Sequence, residues 1–380
     1  MLEAYLIKNG TFCDLTIDKK EKLDIRVENG IITDMKPELD VHNNELIIDA
    51  ANAYITTGWV DAHCHIGKVG HSVGLEPNKY YLTQGVTYAI DPGTAGYLNY
   101  EDYLRFVKGT ADIRYKTFLN MGPYGINSGR RDTEAASDIN EEKTTLIYKK
   151  YNNDILGLKI RVDELFCYNA KDVLQKTRVL ADELRCPMIV HAPRCVLPLK
   201  EVLSYLKEGD VLAHTLAGRV PQMIIVDIKG NIKECLMDAR RRGVILDLSH
   251  GTNAFSFVVA ETAWKQGFIP DIISSDLHGS NINGPVFNLA TVLTKVKGYS
   301  KLSWLEILKK CTLAPVKLLN LKEKDISPKV GKLADFTIFD VEKGDFTYSD
   351  SMKNSRNYGE RLHVRYTVLG KKVYYNTFTT

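Results

Sequence analysis

The chain has 380 residues, 44% hydrophobic and 26% charged, which suits a globular protein long enough for one large barrel and a smaller domain. Fifty Lys and Arg against 47 Asp and Glu leave +3, too even a balance to point to nucleic acid or a membrane as partner. No apolar run approaches the roughly 18 residues of a membrane span. Met1-Leu2-Glu3-Ala4 lacks the regions of a signal peptide, and seven cysteines without a CxxC argue against a disulfide framework or a cysteine zinc site. The expected compartment is the reducing cytoplasm.

In chain order, residues 1–55 read as short alternating strands, Ala4–Lys8, Leu23–Val27 and Ile31–Met35, with turns at Asn9-Gly10 and Asn29-Gly30. From about residue 56 to 319, apolar strands alternate with amphipathic helices. The strands are Ile55–Val60, Val86–Ile90, Lys116–Asn120, Ile155–Val162, Met188–Val190, Val211–Ala213, Val244–Leu248 and Ile272–Ser275. A representative helix, Ala170–Leu184, sets apolar Val173, Leu174, Val179 and Leu180 among charges. Eight strand–helix repeats over about 250 residues are the measure of an α/β fold of the (β/α)8, TIM-like barrel type. A doubly wound sheet is the alternative, and it would place ligands at a strand-order switch point. Beyond about residue 320 the first style returns in Phe336–Phe339, Val364–Leu369 and Val373–Tyr375, with a turn at Leu369-Gly370-Lys371. Neither flank has enough strands to bury a core alone. Together, 1–55 and 320–380 are expected to form one small β-sandwich, with the barrel over 56–319.

Six of the nine histidines fall just past apolar runs: His63 and His65, then His191, His214, His250 and His278. In a strand, residues i and i+2 share a face, so His63 and His65 project the same way and can grip one cation. Asp276 ends the last strand. Lys159 sits in the apolar strand Ile155–Val162, where a charged lysine without a partner is out of place. As a neutral amine it can take up carbon dioxide to form a carbamate, an anion able to bridge two cations. Cys64, between the two histidines, points to the opposite face and reads as core packing.

Asp61-Ala62-His63-Cys64-His65, Lys159, His191, His214 and Asp276 resemble, in order, the motif of the amidohydrolase superfamily of binuclear metallohydrolases. Gly331-Lys332-Leu333-Ala334-Asp335-Phe336 resembles the strand that returns such chains to their small β-domain. Leu246-Asp247-Leu248-Ser249-His250-Gly251-Thr252, Ser274-Ser275-Asp276-Leu277-His278 and Asn283-Gly284-Pro285 are similar to a deacetylase-like group whose members are often labelled dihydroorotase or adenine deaminase. The resemblance implies His63, His65 and Asp276 on a more buried metal and His191 and His214 on a more exposed one. It also implies a carboxylated Lys159 between them. Nitrogen and oxygen ligands suit zinc first, then manganese or iron.

The implied chemistry is attack of metal-activated hydroxide on an ester or amide of a small carboxylate-bearing compound, with Asp276 moving the proton. Cyclic amide opening of the dihydroorotase type and purine deamination are the alternatives within catalysis; a non-catalytic barrel scaffold is the alternative outside it. Arg161 shares a face with Lys159 and is the first candidate for the substrate carboxylate. His250, His278 and Arg194 are further candidates for substrate contact, and the Gly-rich loop Pro92–Gly96 for an anion. The partner expected is a small molecule; a homo-oligomer stays open.

Overall fold

The computed structural model describes residues 2–68, 70, 73–126, 132–133 and 135–376. Its N-terminal segment forms β1 (Ala4–Asp14), β2 (Lys19–Glu28) and β3 (Ile31–Lys36) as antiparallel neighbours, and β4 (Leu46–Asp49) runs parallel beside β1. Asn29 and Gly30 join β2 to β3 with both residues in the left-handed region (φ 52° and 82°), as a two-residue hairpin turn requires. The turn expected at Asn9-Gly10 is absent. Those residues lie inside β1, where the register against β2 shifts and Asn9 (φ 65°) takes up a bulge.

The apolar run Ile55–Val60, expected as one strand, is two. β5 (Tyr54–Thr57) pairs with β1 and with β13 (Asp335–Ser349), whereas β6 (Trp59–Asp61) pairs with β7 (Val86–Asp91). Gly58 is the pivot between sheets. A Cβ there would lie 2.1 Å from both Asp335 Oδ1 and Thr87 Oγ1, so any side chain would have to push both aside. With β14 (Ser355–Leu369) and β15 (Lys372–Tyr375), these strands form an eight-stranded mixed sheet ordered β15-β14-β13-β5-β1-β2-β3, with β4 beside β1. Both chain ends contribute to it. Tyr5, Ile25, Ile55, Phe336 and Val368 are fully buried in one cluster, each contributing about 1.5–3 kcal/mol by leaving water.

The second sheet is parallel and seven-stranded. It joins β6 and β7 to β8 (Arg114–Asn120), β9 (Ile155–Arg161), β10 (Met188–His191), β11 (Val211–Ala213) and β12 (Ile245–Leu246), in chain order. The molecule is therefore α/β with a curled parallel sheet. β12 is shorter than Val244–Leu248, and Ile272–Ser275 is not a regular strand. Isolated parallel bridges join Ile272 to Asp247 and Leu277 to Cys64, at the two edges of the sheet. The ladder is interrupted because a side chain takes a backbone donor: Ser275 N donates to Asp61 Oδ1 at 3.0 Å.

Helices lie between the strands. In Ala170–Leu184, Asn169 caps the N-terminus by accepting from Asp172 N at 3.3 Å, and Val173, Leu174, Leu180 and Ala181 are buried at helical spacing. Val179, expected on that face, is 43% exposed because at helical spacing it projects from the opposite side. Among the described residues no helix is long and apolar enough to cross a membrane.

Candidate metal centre

Parallel strands run one way, so residues that follow their C-terminal ends meet along one rim. His63 and His65 follow β6, Lys159 and Arg161 lie near the end of β9, His191 ends β10, His214 follows β11, and Asp276 lies between the bridged residues Ile272 and Leu277. All six expected ligands line one cavity of about 210 Å³. Ligand atoms of His63, His214 and Asp276 lie within 4.8 Å of one another. His65 Nε2 is 3.1 Å from Asp276 Oδ1, and the His191 and His214 rings are 4.3 Å apart between centroids. Lys159 is 1% exposed beside them.

Each imidazole is turned by a partner on its far nitrogen. His214 Nδ1 is 2.7 Å from the Ser249 carbonyl, which only accepts, so the proton is on Nδ1 and Nε2 carries a lone pair. That Nε2 is buried and has no hydrogen-bond partner. The Thr94 hydroxyl donates to Asp91 Oδ2 at 2.7 Å and so accepts from His65 Nδ1, also at 2.7 Å. His63 Nδ1 lies 3.1 Å from Ser249 Oγ and 3.3 Å from Asp247 Oδ2, while Nε2 faces Asp276 Oδ1 at 3.9 Å. His191 is reversed: its Nε2 faces Asp163 Oδ2 at 3.5 Å, which leaves Nδ1 as its free ligand atom. Such carboxylate and carbonyl partners orient metal-binding histidines.

Electrostatics prepare the same groups. Burial pushes His214 down to about 3 and His191 well below the ordinary histidine value. Burial also lowers Lys159 to about 8. Burial works to raise Asp276, but the His65 hydrogen bond and the surrounding histidines hold it well below the usual carboxylate range. Neutral nitrogens around an ionised carboxylate are in the protonation state that ligands need. The backbone is strained here as well. His214, Ser249 and Asp276 are non-glycine residues in the left-handed region (φ 63°, 41° and 49°), a cost of about 1–3 kcal/mol each. At Gly93 (φ 94°) a Cβ would meet Lys159 Cβ at 2.8 Å, so the chain passes the lysine only as glycine.

The remaining expected residues divide. Arg161, Arg194 and His278 line the cavity. Arg161 is bonded to Asp132 through Nε and, at 2.8 Å, through Nη2, and its guanidinium lies 3.4 Å from the Phe166 ring centre. His278 contacts Thr252 and Ser280 hydroxyls at 3.3 and 3.0 Å. His250 does not line the cavity: its ring stacks on Phe255 at 4.6 Å, and Nε2 accepts from Lys295 Nζ at 2.9 Å. In the loop Pro92–Gly96 the N–H groups of Gly93 and Thr94 are taken by Asp91 Oδ1 at 2.9 and 2.7 Å, which leaves neither for an anion.

Sequence reasoning missed Asp91, Asp163, Asp247 and Ser249, which orient the histidines, and Lys295, which holds His250. Asp91 and Asp247 stand just past apolar runs, the same signal that singled out the histidines.

No family model matches the chain. A deacetylase of Agrobacterium fabrum is 32% identical over 330 residues, covering 85% of this chain and 79% of that one. The crystal structure of a dihydroorotase superposes with a TM-score of 0.88 at 28% identity over 98% of both chains. That of an adenine deaminase superposes with a TM-score of 0.86 at 27% identity over 98% of this chain and 99% of its own. At that identity and coverage the chain belongs to the deacetylase-like group of the amidohydrolase superfamily, as a metal-dependent hydrolase.

Proposed function

We propose that this chain is a binuclear deacylase that hydrolyses an ester or amide of a small molecule. The observation that carries the metal reading is His214 Nε2, buried and partnerless beside ligand atoms of His63 and Asp276. A buried lone pair facing a carboxylate and a second imidazole is unfavourable unless a cation accepts it. The donor set fits a divalent ion: the group contains nitrogen and oxygen and no thiolate, which favours zinc, then manganese or iron. His63, His65 and Asp276 would hold one ion and His191 and His214 the other. The neutral amine that burial favours on Lys159 is the form that takes up carbon dioxide, so a carbamate there would bridge the two.

Ions held by these residues would lower the pKa of water and polarise an acyl oxygen. Asp276 takes the proton of the attacking water and delivers it to the leaving oxygen or nitrogen. Its position supports that role: Asn281 Nδ2 holds its backbone carbonyl at 2.9 Å, and Oδ1 is the oxygen that faces His65 Nε2, at 3.1 Å, which leaves Oδ2 for the proton. The deacetylase relative favours acyl hydrolysis. The two structures that superpose nearly equally bear two other activity names, so likeness of fold does not choose among the three.

We also infer the finer architecture. The bridged segment 272–277 is the eighth strand position and closes 56–319 into a (β/α)8 barrel, supported by its hydrogen bonds to both sheet edges. The core shared by both chain ends supports a small β-sandwich built from 1–55 and 320–380. Seven free cysteines support a reducing cytoplasm.

Protein purified without chelator should retain close to two equivalents of metal and release acetate from acetylated hydroxy acids or amino acids. Retention near one equivalent after reloading would replace the binuclear reading with a mononuclear one. Turnover of dihydroorotate or adenine, with no acetate released, would refute deacylation.

A further inference from the structure

We propose that Lys295 is a positioning residue for the metal centre: through His250 it fixes the segment 249–251, which aims two histidines and a carboxylate at the cation. The inference rests on the metal reading above and deepens it. The segment meets the site at both of its ends. Ser249 faces two imidazoles, with Oγ 3.1 Å from His63 Nδ1 and its carbonyl 2.7 Å from His214 Nδ1. Gly251 backs onto the third group, since a Cβ there would lie 2.3 Å from Asp276 Oδ2. Both residues stand in the left-handed region (φ 41° and 55°). For a serine that conformation is unfavourable and persists only where the surroundings enforce it.

His250, between the two, supplies the enforcement. It is fully buried and lies outside the cavity lining, with its ring stacked on Phe255. Its Nδ1 is 2.9 Å from the Gly251 carbonyl, which only accepts, so the ring proton is on Nδ1. Nε2 therefore carries a lone pair, and Lys295 Nζ donates to it at 2.9 Å.

Lys295 is 1% exposed, within the helix Leu289–Tyr299. Its amine also donates to Pro285 O at 2.6 Å and to Ser349 O at 2.8 Å. The three N–H groups of an ammonium thus meet three acceptors, which fixes where the amine points. One cation ties the loop that follows β12 to this helix and to the hairpin of β13 and β14. The hairpin tip braces the same segment directly: Ser351 Oγ donates to Gly251 O at 3.3 Å, and Asp350 Oδ2 accepts from Phe257 N at 2.9 Å. An apolar side chain would fill the space of Lys295 at a smaller desolvation cost, but it could not hold the His250 nitrogen.

Three variants separate holding from packing. His250→Phe keeps a ring on Phe255 and loses the acceptor, His250→Gln loses the ring and keeps an acceptor, and Lys295→Met removes the donor. In metal-free protein, NMR of nitrogen-labelled histidines should show the His214 proton fixed on Nδ1 in the unmutated chain and in His250→Gln. In His250→Phe and Lys295→Met it should average between the two ring nitrogens. Zinc affinity, read by competition with a chromogenic chelator, should fall roughly tenfold in those two and stay near the parent in His250→Gln. An unchanged His214 tautomer in His250→Phe, or greater damage in His250→Gln than in His250→Phe, overturns the assignment. Lys295→Met leaves two carbonyls and a ring nitrogen without a donor; should it not fold, His250→Phe decides. If the unmutated protein binds no zinc, the metal reading fails on that result, while the His214 tautomer still decides whether His250 and its lysine hold the segment.

Discussion

Replacing Lys159 with methionine should stabilise the metal-free protein while removing its chemistry. Lys159 is 1% exposed on β9, and burial, the largest influence on it, lowers its amine from 10.5 to about 8. At about 1.4 kcal/mol per tenfold change in proton affinity, keeping that amine charged at neutral pH costs the folded state about 3 kcal/mol. Methionine is unbranched, apolar and of similar length, and its packing penalty should stay below about 1.5 kcal/mol. The net gain expected near pH 7 is therefore about 2 kcal/mol. Its pH dependence has a definite sign. Between about 8 and 10.5 the unfolded chain holds the lysine proton and the folded chain does not, so the stability of the unmutated protein rises with pH. The variant lacks this rise. Its advantage should be full below about 8 and fade toward 10.5, while the depressed histidines, present in both proteins, cancel in the difference. Urea unfolding of chelator-stripped proteins at pH 7 and pH 10 measures the effect. Metal content and turnover of the reloaded proteins measure the other half, with most activity and the second equivalent lost. A variant less stable than its parent at pH 7, or a difference that does not shrink at pH 10, refutes the reasoning about the buried amine. Full activity would remove the bridging role.

Asp276→Asn keeps the shape but cannot take a proton, so kcat should fall by at least the ~10²-fold typical of a lost acid–base group; a raised KM with unchanged kcat would restrict the residue to binding. Asp247→Asn removes the carboxylate that faces His63 Nδ1 at 3.3 Å and receives the Ser274 hydroxyl at 2.6 Å. Metal affinity, read by competition with a chromogenic chelator, should drop roughly 10- to 100-fold, and an unchanged affinity would show that Ser249 alone orients His63. Gly58→Ala forces a Cβ to 2.1 Å from Asp335 and Thr87 and should lower stability by about 1–3 kcal/mol in urea; an unshifted midpoint would mean that the junction of the two sheets yields freely.

The residues that meet at the cavity were legible because their signal is local. A histidine or aspartate just past an apolar run is visible within a few residues, and His63 and His65 are two positions apart. What holds them was not legible, because it is assembled across the chain. Ser249 reaches His63 over 186 residues, and Lys295 draws His250 out of the cavity over 45. Arg161 was placed on the right strand face, yet nothing local marks Asp132, 29 residues earlier, as the acid that occupies it. The split of Ile55–Val60 escaped for a related reason. Both halves are apolar, and only the fully built sheets show how closely Asp335 and Thr87 crowd Gly58. Asn9-Gly10 has the composition of a turn, and the long-range pairing of β1 with β2 makes it a bulge instead.

The pivot at Gly58 also has a consequence in time. The segment that leads into His63 and His65 is clamped on its N-terminal side by a sheet that needs β13, and Trp59 N donates a hydrogen bond to Thr337 Oγ1, 278 residues further along. At 5–20 residues per second, a ribosome takes roughly a quarter of a minute to a minute to make that stretch. Throughout it the first histidine pair hangs from an unfinished edge, with the hydrogen-bonding groups of β5 open to any neighbouring strand. A nascent chain of this protein is therefore most exposed to mispairing on the ribosome at the element that later carries its chemistry, and it becomes secure only as its last strands emerge.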